Sequence, residues 1–458
     1  MEKKKMALTT KMLIALALGI ATGFIFQAIG TDNVAVAWIL TNPLQFLGDV
    51  FMRGIMGIVF PLILFSIVTG ITSMADPKKV GRIGGRLSLI YLFSTFPAIG
   101  FAILFATIIN PAGVVTYETV ETFRATIPAA ITADPPGIRL ILTGIVPNFP
   151  FRSLTGLQLG VGASAALQII FISIALGLAI NALGETAEPV RKLFSSMNDI
   201  MMKITTVFMK LAPICVFALL ARTFSELSFD AIAALFLFVL TTWIALAFHT
   251  FIVYTGALKA FVGKDPHTGK SVSFRTLFKK ASPALAFAFS SASSAATLPI
   301  TMRCSRNLGF SREMSSLTFP AGVTLNMDGT AIFQGVATIF LAGLFGIDLT
   351  AGQILLVLVT ATLATLGAAG VPGAGLIMLS MVLTQIGIEP GVAIALIFGI
   401  DRIVDMPRTA INVFGDFVYG LIVGSREKGM IDFAQYNNPT DLAAFDAMEA
   451  AAAEKANA

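Results

Sequence analysis

Long apolar stretches separated by short polar connectors run along almost the whole chain. A helix needs about 20 apolar residues to cross a bilayer, and the first six stretches are consistent with this length. They cover residues 12–30, 44–74, 84–110, 157–184, 194–221 and 230–257. Only helices and closed barrels satisfy every backbone polar group inside lipid. The pattern therefore predicts an all-α polytopic membrane protein.

Basic residues in the connectors predict the orientation of these spans. Lys78 and Lys79 follow the second span and a dense basic run occupies 259–280, whereas 31–43 has no Lys or Arg. Cytoplasmic loops carry the excess of basic residues in membrane proteins. We therefore expect a multi-pass protein of the cell membrane, with both termini in the cytoplasm and the long loop 111–156 outside.

The next apolar stretch, 281–302, breaks the alternation. Lys280 precedes it and Arg303 follows it, so both of its ends favour the cytoplasm. A re-entrant hairpin at 275–306, which enters and leaves on the same side, satisfies both ends. Its centre, Ser290–Ala296, has the small and hydroxyl side chains that suit a tightly packed tip.

The stretch 354–384 also has two flanks that favour one side of the membrane. Neither flank has Lys or Arg, so both favour the outside. Its centre, Gly367–Gly375, contains several glycines and Pro372, which interrupt a helix. We therefore predict a second hairpin at 350–386 that enters from outside.

One span follows each hairpin, at 315–345 and at 392–424. The predicted fold has eight transmembrane helices plus two re-entrant hairpins, which form an inverted repeat in the C-terminal half. Secondary transporters use such repeats, with broken helices that meet near the bilayer midplane. The alternative is that both apolar stretches are ordinary crossings with a poor charge bias.

Composition excludes several other classes of protein. Charged residues make up 12% of the chain, against about 25% in soluble domains. The net charge of +5 comes from clusters in the cytoplasmic connectors, so it indicates no nucleic-acid partner. The chain has only two cysteines, which suggest neither a disulfide framework nor a metal site. It has only two histidines, which argues against a zinc or haem enzyme. We expect no organic cofactor.

Five polar residues occupy one face of the span 392–424. Asp401, Asp405, Arg408, Asn412 and Asp416 lie at offsets 0, 4, 7, 11 and 15, which form a single stripe at about 100° per residue. Such side chains are costly in a membrane unless they face a cavity or one another. The stripe therefore indicates a binding site, although a structural pairing of Arg408 with Asp405 is an open alternative.

The preceding span contributes Asn326 and Asp328, and Gly329 favours local unwinding that frees backbone carbonyls. Carboxylate, amide and carbonyl oxygens suit a hard cation such as sodium. Coupling to protons stays open, since a dehydrated carboxylate can bind a proton instead.

Arg408 offers a planar fork that matches a carboxylate, and Asp405 can hold an ammonium group. We therefore predict sodium-coupled uptake of aspartate or glutamate. The runner-up is a proton-coupled dicarboxylate or neutral amino-acid symporter. The rival from another class is an intramembrane aspartyl protease, in which Asp328 would pair with Asp405 or Asp416.

Four motifs make the chain similar to a known family. They are Ser293–Pro299, Asn326–Thr330, Gly370–Gly375 and Asp405–Asn412. In this order they resemble signatures of the dicarboxylate/amino acid:cation symporters, the bacterial and archaeal homologues of excitatory amino acid transporters. The resemblance implies a homotrimer in the lipid bilayer, not an enzyme, with elevator-type alternating access in each protomer.

The resemblance also implies a division of the chain. A scaffold would comprise 1–82 and 113–222, and a moving transport domain would comprise 83–112 and 223–430. The segment 431–458 is predicted to be a mobile tail.

For the substrate, the resemblance implies that Arg408 binds a side-chain carboxylate and Asp405 an amino group. The other implied pocket residues are Ser293, Ser294, Thr330, Gly370, Gly375, Thr409 and Asn412. Three sodium positions are implied. The first uses Gly322, Asn326, Asn412 and Asp416; the second uses Thr324, Met327, Thr365, Leu366 and Ala368; the third uses Tyr91, Ser94, Thr95, Asn326 and Asp328.

The chain also departs from the family pattern. Relatives often place an arginine where this chain has Ala292 or Met406, and Arg402 lies one turn away. Pro407 and Ala368 also replace more usual residues. Relatives that carry plain C4-dicarboxylates tend to lack the aspartate that matches Asp405, which favours an amino-acid substrate here.

Overall fold

The computed structural model describes residues 8–72, 80–125, 165–208, 210–262, 264, 269, 272–365, 370, 373–388 and 390–457. These residues form helices joined by short turns, so the predicted all-α class is confirmed. In chain order the helices are α1 (Leu8–Ile29), α2 (Val34–Ile39), α3 (Gln45–Thr72), α4 (Val80–Ile109), α5 (Tyr117–Ala125), α6 (Ala165–Leu183), α7 (Glu188–Phe208), α8 (Ala212–Glu226), α9 (Phe229–Phe248), α10 (Tyr254–Phe261), α11 (Phe274–Ser291), α12 (Ser294–Asn307), α13 (Arg312–Leu325), α14 (Asp328–Leu344), α15 (Ala351–Thr365), α16 (Ala374–Gln385), α17 (Pro390–Gly424), α18 (Phe433–Asn437) and α19 (Leu442–Asn457).

Six helical stretches among the described residues are long and apolar enough to cross a membrane. They are Thr10–Ile29, Val34–Phe51, Ile83–Val114, Phe171–Phe208, Phe229–Phe261 and Arg312–Leu344. Helix α17 has 35 residues but carries the charged stripe, which lowers its hydropathy. The chain is therefore a multi-pass membrane protein, and the count of eight spans stays a prediction.

Helices from the N-terminal half pack closely on one another. α1 runs along α8, and α3 packs against α6 and α7. Gly19 and Gly23 let the backbones of α1 and α8 approach, because a Cβ at Gly23 would lie 2.6 Å from the Cβ of Phe224. Small residues four apart are the usual means of close helix packing in membranes.

Helix α17 lies at the centre of a second group of helices, which comes mostly from the C-terminal half of the chain. It contacts α11, α13, α14 and α16, and α14 in turn packs along α4 and α9. Most of α14 is buried. The polar stripe of α17 is therefore surrounded by protein.

The first predicted hairpin forms a helix–turn–helix of α11 and α12. The chain reverses at Ala292 and Ser293, inside the predicted tip. Ala292 adopts the left-handed conformation with φ 50°, which costs a non-glycine residue about 1–2 kcal/mol. Ser293 caps α12, since its Oγ accepts a hydrogen bond from the Ala296 N–H over 3.2 Å.

Helices α15 and α16 pack together where the second hairpin is predicted. Most of its predicted tip, at 367–369 and 371–372, lies outside the described residues. Gly373, with φ 81°, is the N-cap residue that precedes α16. This backbone conformation favours glycine.

The span that contains Asn326 is broken, as the sequence predicts. α13 ends at Leu325 and α14 begins at Asp328, so Asn326 and Met327 are non-helical. The fifth predicted span, 194–221, differs from the structure, since α7 ends at Phe208 and α8 begins at Ala212. Pro213 in the first turn of α8 explains the new start, because proline cannot continue a helix from upstream.

The first part of the segment after α17 contacts the first hairpin, and the mobility predicted for 431–458 stays a prediction. Tyr436 is 1% exposed, and its hydroxyl donates to the Ser273 carbonyl over 2.8 Å. Lys280 Nζ donates to the Gln435 carbonyl over 2.7 Å. α19 contacts α12, where Arg303 pairs with Asp446.

Candidate functional site

The polar stripe of α17 is buried. Asp401, Asp405, Arg408, Asn412 and Asp416 are between 2% and 7% exposed, and all except Asn412 are ionisable. Buried charges in a membrane protein pair with one another or serve a ligand. The contacts of each side chain therefore show which of its polar atoms are already paired within the protein.

Asp405 holds Arg408 through two hydrogen bonds. Nε and Nη2 of Arg408 donate to Asp405 Oδ1 over 3.2 and 2.6 Å. Thr409 Oγ1 donates to the same oxygen over 3.1 Å, and the Gly373 N–H donates to Oδ2 over 3.3 Å. The structural pairing of Arg408 with Asp405 is therefore present.

This pairing does not involve Nη1, the other amino group of the guanidinium. Nη1 of Arg408 lies 3.5 Å from Asp401 Oδ1, but within the described part of the chain it has no hydrogen-bond partner. The guanidinium carbon is 4.5 Å from the ring centroid of Phe333, a favourable cation–π distance. Arg408 is thus fixed by two neighbours and keeps N–H groups for a further acceptor.

The two hairpin tips meet at the Gly370 carbonyl. Ser293 Oγ donates to this oxygen over 2.8 Å, and the Ala295 N–H donates to it over 3.0 Å. Gly370 approaches closely, since a Cβ there would lie 3.0 Å from Ala295 N. Contact between these backbones narrows the space between the tips and α17.

A cavity of about 10 Å³ remains between the tips, α14 and α17. This is close to the smallest space that holds one water molecule. The structure brings together all but one of the predicted substrate residues along its wall, which is lined by Ser294, Thr330, Gly370, Gly375, Asp405, Arg408, Thr409 and Asn412, with Ala292, Met327 and Ala374. The exception, Ser293, makes the adjacent contact between the tips.

The residues of the first predicted sodium position also form a cluster. Asn326 Nδ2 donates to Asp416 Oδ1 over 2.8 Å and to the Asn412 carbonyl over 3.0 Å. A Cβ at Gly322 would lie 2.1 Å from the same carboxylate oxygen, so only glycine fits there. The Asn326 Oδ1 atom is buried and has no hydrogen-bond partner among the described residues. The cluster therefore offers oxygen atoms that fit a hard cation.

The residues of the second predicted position are only partly described. Thr324 lies near the end of α13 and Met327 in the helix break. Thr365 ends α15, where its hydroxyl donates to the Thr362 carbonyl over 2.8 Å. Leu366 and Ala368 lie outside the described residues, so this position stays a prediction.

The third predicted position centres on Asp328, which is fully buried. Ser94 Oγ and Thr95 Oγ1 lie 3.0 and 3.4 Å from Asp328 Oδ1. Tyr91 instead directs its hydroxyl to the Thr318 carbonyl, 3.5 Å away. Asn326, which the resemblance shares between two positions, belongs to the Asp416 cluster in the structure.

Three further side chains surround Asp328, and the sequence analysis does not predict them. Tyr419 and Tyr254 donate to Asp328 Oδ2 over 2.9 and 3.1 Å, and His249 Nε2 lies 3.3 Å from it. We call the set of Asp328, Ser94, Thr95, His249, Tyr254 and Tyr419 the Asp328 cage.

A local irregularity of the backbone brings His249 and Tyr254 together. Residues 249–253 form a wide π-helical turn between α9 and α10. Residues five apart lie on different faces of a regular α-helix, but the wide turn places these two rings 4.7 Å apart. Such turns are frequent at functional sites. A signal was available in composition, since three of the chain's five tyrosines, at 91, 254 and 419, lie in this region.

Arg402 reaches the first hairpin from α17. Its Nη2 donates to the carbonyls of Ser290 and Ser291, both over 3.2 Å. These carbonyls end α11, where a helix dipole favours a cation. Arg402 therefore supports the tip of the first hairpin and is absent from the cavity wall.

A broken helix, two helical pairs with touching tips and a small polar cavity together define a membrane transporter of the secondary active class. The chain matches the model of the sodium:dicarboxylate symporter family over residues 8–426, and it belongs to this family. The resemblance seen in the sequence motifs is thus confirmed.

Relatives of known activity cover nearly the whole chain. The proton/sodium-glutamate symport protein of Geobacillus stearothermophilus is 33% identical over 95% of this chain and 96% of its own length. The proton/glutamate-aspartate symporter of Escherichia coli is 31% identical over 93% and 94%. The C4-dicarboxylate transport protein of Bacillus subtilis is 28% identical over 92% and 93%.

Family membership decides between the classes that the sequence left open. The family consists of symporters, so the chain is a cation-coupled transporter and not an enzyme. The intramembrane protease is excluded on this ground. The choice between an acidic amino acid and a plain dicarboxylate depends on the site itself.

Proposed function

We propose that this protein takes up aspartate or glutamate together with sodium ions. The observation that carries the proposal is the state of Arg408: its side chain lines the cavity, and its buried Nη1 lacks a hydrogen-bond partner among the described residues. A substrate side-chain carboxylate would accept from these N–H groups in a charge-assisted bond.

Asp405 supports an amino acid over a plain dicarboxylate. Its carboxylate lines the same cavity as Arg408, so a second substrate carboxylate placed beside it would be repelled. An ammonium group there would be attracted. The Geobacillus and Escherichia relatives are named as glutamate or glutamate-aspartate symporters, which agrees with this choice.

Substrate entry requires the tips to separate. The cavity of about 10 Å³ holds about one water molecule and is far too small for an amino acid. The bonds to the Gly370 carbonyl join the two tips, and Arg402 ties the first tip to α17. We therefore propose that the second hairpin opens as the gate, while the first stays in place.

The Asp416 cluster supports sodium as a coupling ion. Its buried carboxylate and the unused Asn326 Oδ1 provide hard oxygen ligands without sulfur or imidazole. The second proposed sodium position lies at Thr324, Met327 and Thr365, together with Leu366 and Ala368. Proton coupling is the second candidate, because the Geobacillus relative is named for both ions.

We propose an elevator mechanism in a homotrimer, in which two groups of packed helices move relative to each other. α1 packs with α8 and α3 with α6 and α7, whereas α4 packs with α14 and α17, and α11 packs with α17. We propose that the first group is the fixed scaffold and that the second moves with the substrate. The termini are proposed to be cytoplasmic.

Transport by proteoliposomes tests the proposed function. Vesicles with an inward sodium gradient should accumulate labelled aspartate, and they should do so faster than with labelled succinate. Accumulation driven equally well by a proton gradient without sodium would replace sodium by protons as the coupling ion.

The variant Arg408→Cys tests the residue that carries the proposal. It should lose aspartate and glutamate transport and keep transport of a small neutral amino acid, because the carboxylate would lose its fork. Arg222→Cys is the matched control, since Arg222 pairs with the exposed Glu226 on α8. Unchanged aspartate transport by Arg408→Cys would show that Arg408 is only structural.

A further inference from the structure

Asp401 differs from the other two carboxylates of the α17 stripe. Asp405 lines the cavity and Asp416 belongs to the cluster with Asn326, whereas Asp401 is part of neither. It is 7% exposed, and its Oδ1 has no hydrogen-bond partner among the described residues. A buried carboxylate in a membrane helix needs a compensating charge.

Asp401 faces the guanidinium of Arg408. The two residues are about two helical turns apart, and a helical side chain points toward the N-terminus of its helix, so Arg408 extends back along α17. Its Nη1 lies 3.5 Å from Asp401 Oδ1. A charge-assisted hydrogen bond measures about 2.7–2.9 Å, and Nη2 reaches Asp405 Oδ1 over 2.6 Å. Arg408 therefore bonds one carboxylate and attracts a second one without a hydrogen bond.

Nη1 of Arg408 is also the group that would meet a substrate carboxylate. An oxygen bonded to Nη1 at about 2.9 Å would lie within about 6.5 Å of Asp401 Oδ1, because that oxygen is 3.5 Å from Nη1. Two like charges at this separation repel each other strongly away from water. Arg402, which follows Asp401, directs its Nη2 to the tip of the first hairpin. Asp401 and the substrate carboxylate therefore compete for the same guanidinium.

We propose that Asp401 is a specificity-determining residue, because its carboxylate compensates Arg408 in the empty site and opposes the side-chain carboxylate of a bound substrate. A buried charge without its partner is costly, so the compensation stabilises the empty site. The opposition lowers the affinity for an acidic amino acid and leaves the affinity for a neutral one unchanged. This inference rests on the proposed uptake of aspartate or glutamate.

The variant Asp401→Asn tests the inference, because the amide keeps the shape of the side chain and removes its charge. Purified protein in sodium at pH 8 is titrated with aspartate and with asparagine, whose side chain has the same length and no charge. The variant should bind aspartate at least about tenfold more tightly than the wild type, since a like charge that faces the ligand has been removed. Its affinity for asparagine should change less than about twofold.

The variant Glu427→Gln is the matched control. Glu427 is also a buried carboxylate that pairs with an arginine, Arg86 of α4, and it lies beyond the end of α17, away from the cavity wall. Its neutralisation should change neither affinity. Equal tightening of both ligands by Asp401→Asn, or no tightening of aspartate, would overturn the inference. Absence of aspartate binding by the wild type would instead contradict the proposed function.

The variant Asp401→Glu gives a second test, which also serves if Asp401→Asn does not fold. The side chain is longer by one methylene group, so its carboxylate should come closer to Nη1 of Arg408 and compete more strongly. Aspartate binding should weaken, and asparagine binding should stay as in the wild type. Aspartate binding at the wild-type strength, or an equal loss for both ligands, would show that Asp401 does not discriminate between them.

Discussion

Gly375 lies directly against the guanidinium of Arg408. A Cβ at position 375 would lie 2.3 Å from Nη1 and 2.6 Å from the guanidinium carbon. These are contacts that real side chains do not tolerate, and Asp405 and Phe333 hold the guanidinium from other sides. The second hairpin and Arg408, in this arrangement, therefore fit together only when residue 375 has no side chain.

We predict that Gly375→Ala weakens aspartate binding at least about tenfold, which corresponds to about 1.4 kcal/mol. The added methyl group would displace Arg408 or prevent α16 from closing on it. Isothermal titration of purified protein in sodium measures the effect. Gly352→Ala is the control, because it lies in the same hairpin and its nearest neighbour would be 3.9 Å away. Equal affinities of the two variants would contradict the prediction.

Much of this arrangement follows from the sequence. Basic residues on both sides of 281–302 indicate a reversal, and the chain does turn at Ala292 and Ser293. Asn326 and Gly329 indicate a broken span, and the break lies at Asn326–Met327. These features are local, because charge bias and backbone propensity act within a few residues of where they appear.

The Asp328 cage does not follow from the sequence in this way. His249 and Tyr254 lie in an apolar run and Tyr419 lies beyond the recognised motif, so each alone resembles packing. Their meeting depends on the wide turn at 249–253 and on the packing of α9 against α17. The burial of Phe433 and Tyr436 after α17 is similar, because it depends on contacts with residues far away in the sequence, such as the hydrogen bond from Tyr436 to the Ser273 carbonyl.

Ser293 has two roles that one substitution removes together. Its hydroxyl accepts from the Ala296 N–H and donates to the Gly370 carbonyl over 2.8 Å. Ser293→Ala should lose a helix cap of about 1 kcal/mol and a contact between the tips of about 1 kcal/mol. We expect a lower thermal midpoint and faster substrate release.

Stopped-flow release of aspartate and thermal unfolding check this prediction. Ser293→Thr should stay close to the wild type, since it keeps the hydroxyl. Ser316→Ala removes an exposed hydroxyl that bonds only locally to the Glu313 carbonyl and should change neither quantity. Release from Ser293→Ala at the wild-type rate would refute a role of this residue in closing the tips.

Arg402 should stabilise the first hairpin tip. It donates to the carbonyls of Ser290 and Ser291 and is 4% exposed, so Arg402→Ala leaves the end of α11 without its cation. We predict that a cysteine placed at the exposed position 290 reacts faster with a maleimide in Arg402→Ala than in an otherwise identical protein. Cys215 and Cys304 are replaced by alanine in both.

The variant Arg402→Lys keeps the charge but loses the planar fork. Its labelling rate at position 290 should therefore lie between the rate with Arg402 and the rate with Arg402→Ala. A cysteine at the exposed position 316, on α13, is the reporter control. It should react at one rate in all three backgrounds. Equal labelling at position 290 would mean that Arg402 does not hold the tip.

Lys280 joins the first hairpin to the C-terminal segment. It is 7% exposed, and its Nζ donates to the carbonyls of Asn307 and Gln435 over 2.9 and 2.7 Å. Lys280→Ala would leave both carbonyls without this donor, at a cost of about 1–3 kcal/mol. We predict a lower thermal midpoint and faster proteolysis after residue 430.

Lys279→Ala is the control, because its side chain is exposed on the same helix. Since the contact lies away from the cavity, aspartate affinity should stay unchanged in both variants. If Lys280→Ala weakened aspartate binding with no change in proteolysis, Lys280 would act on the site and not as an anchor of the segment.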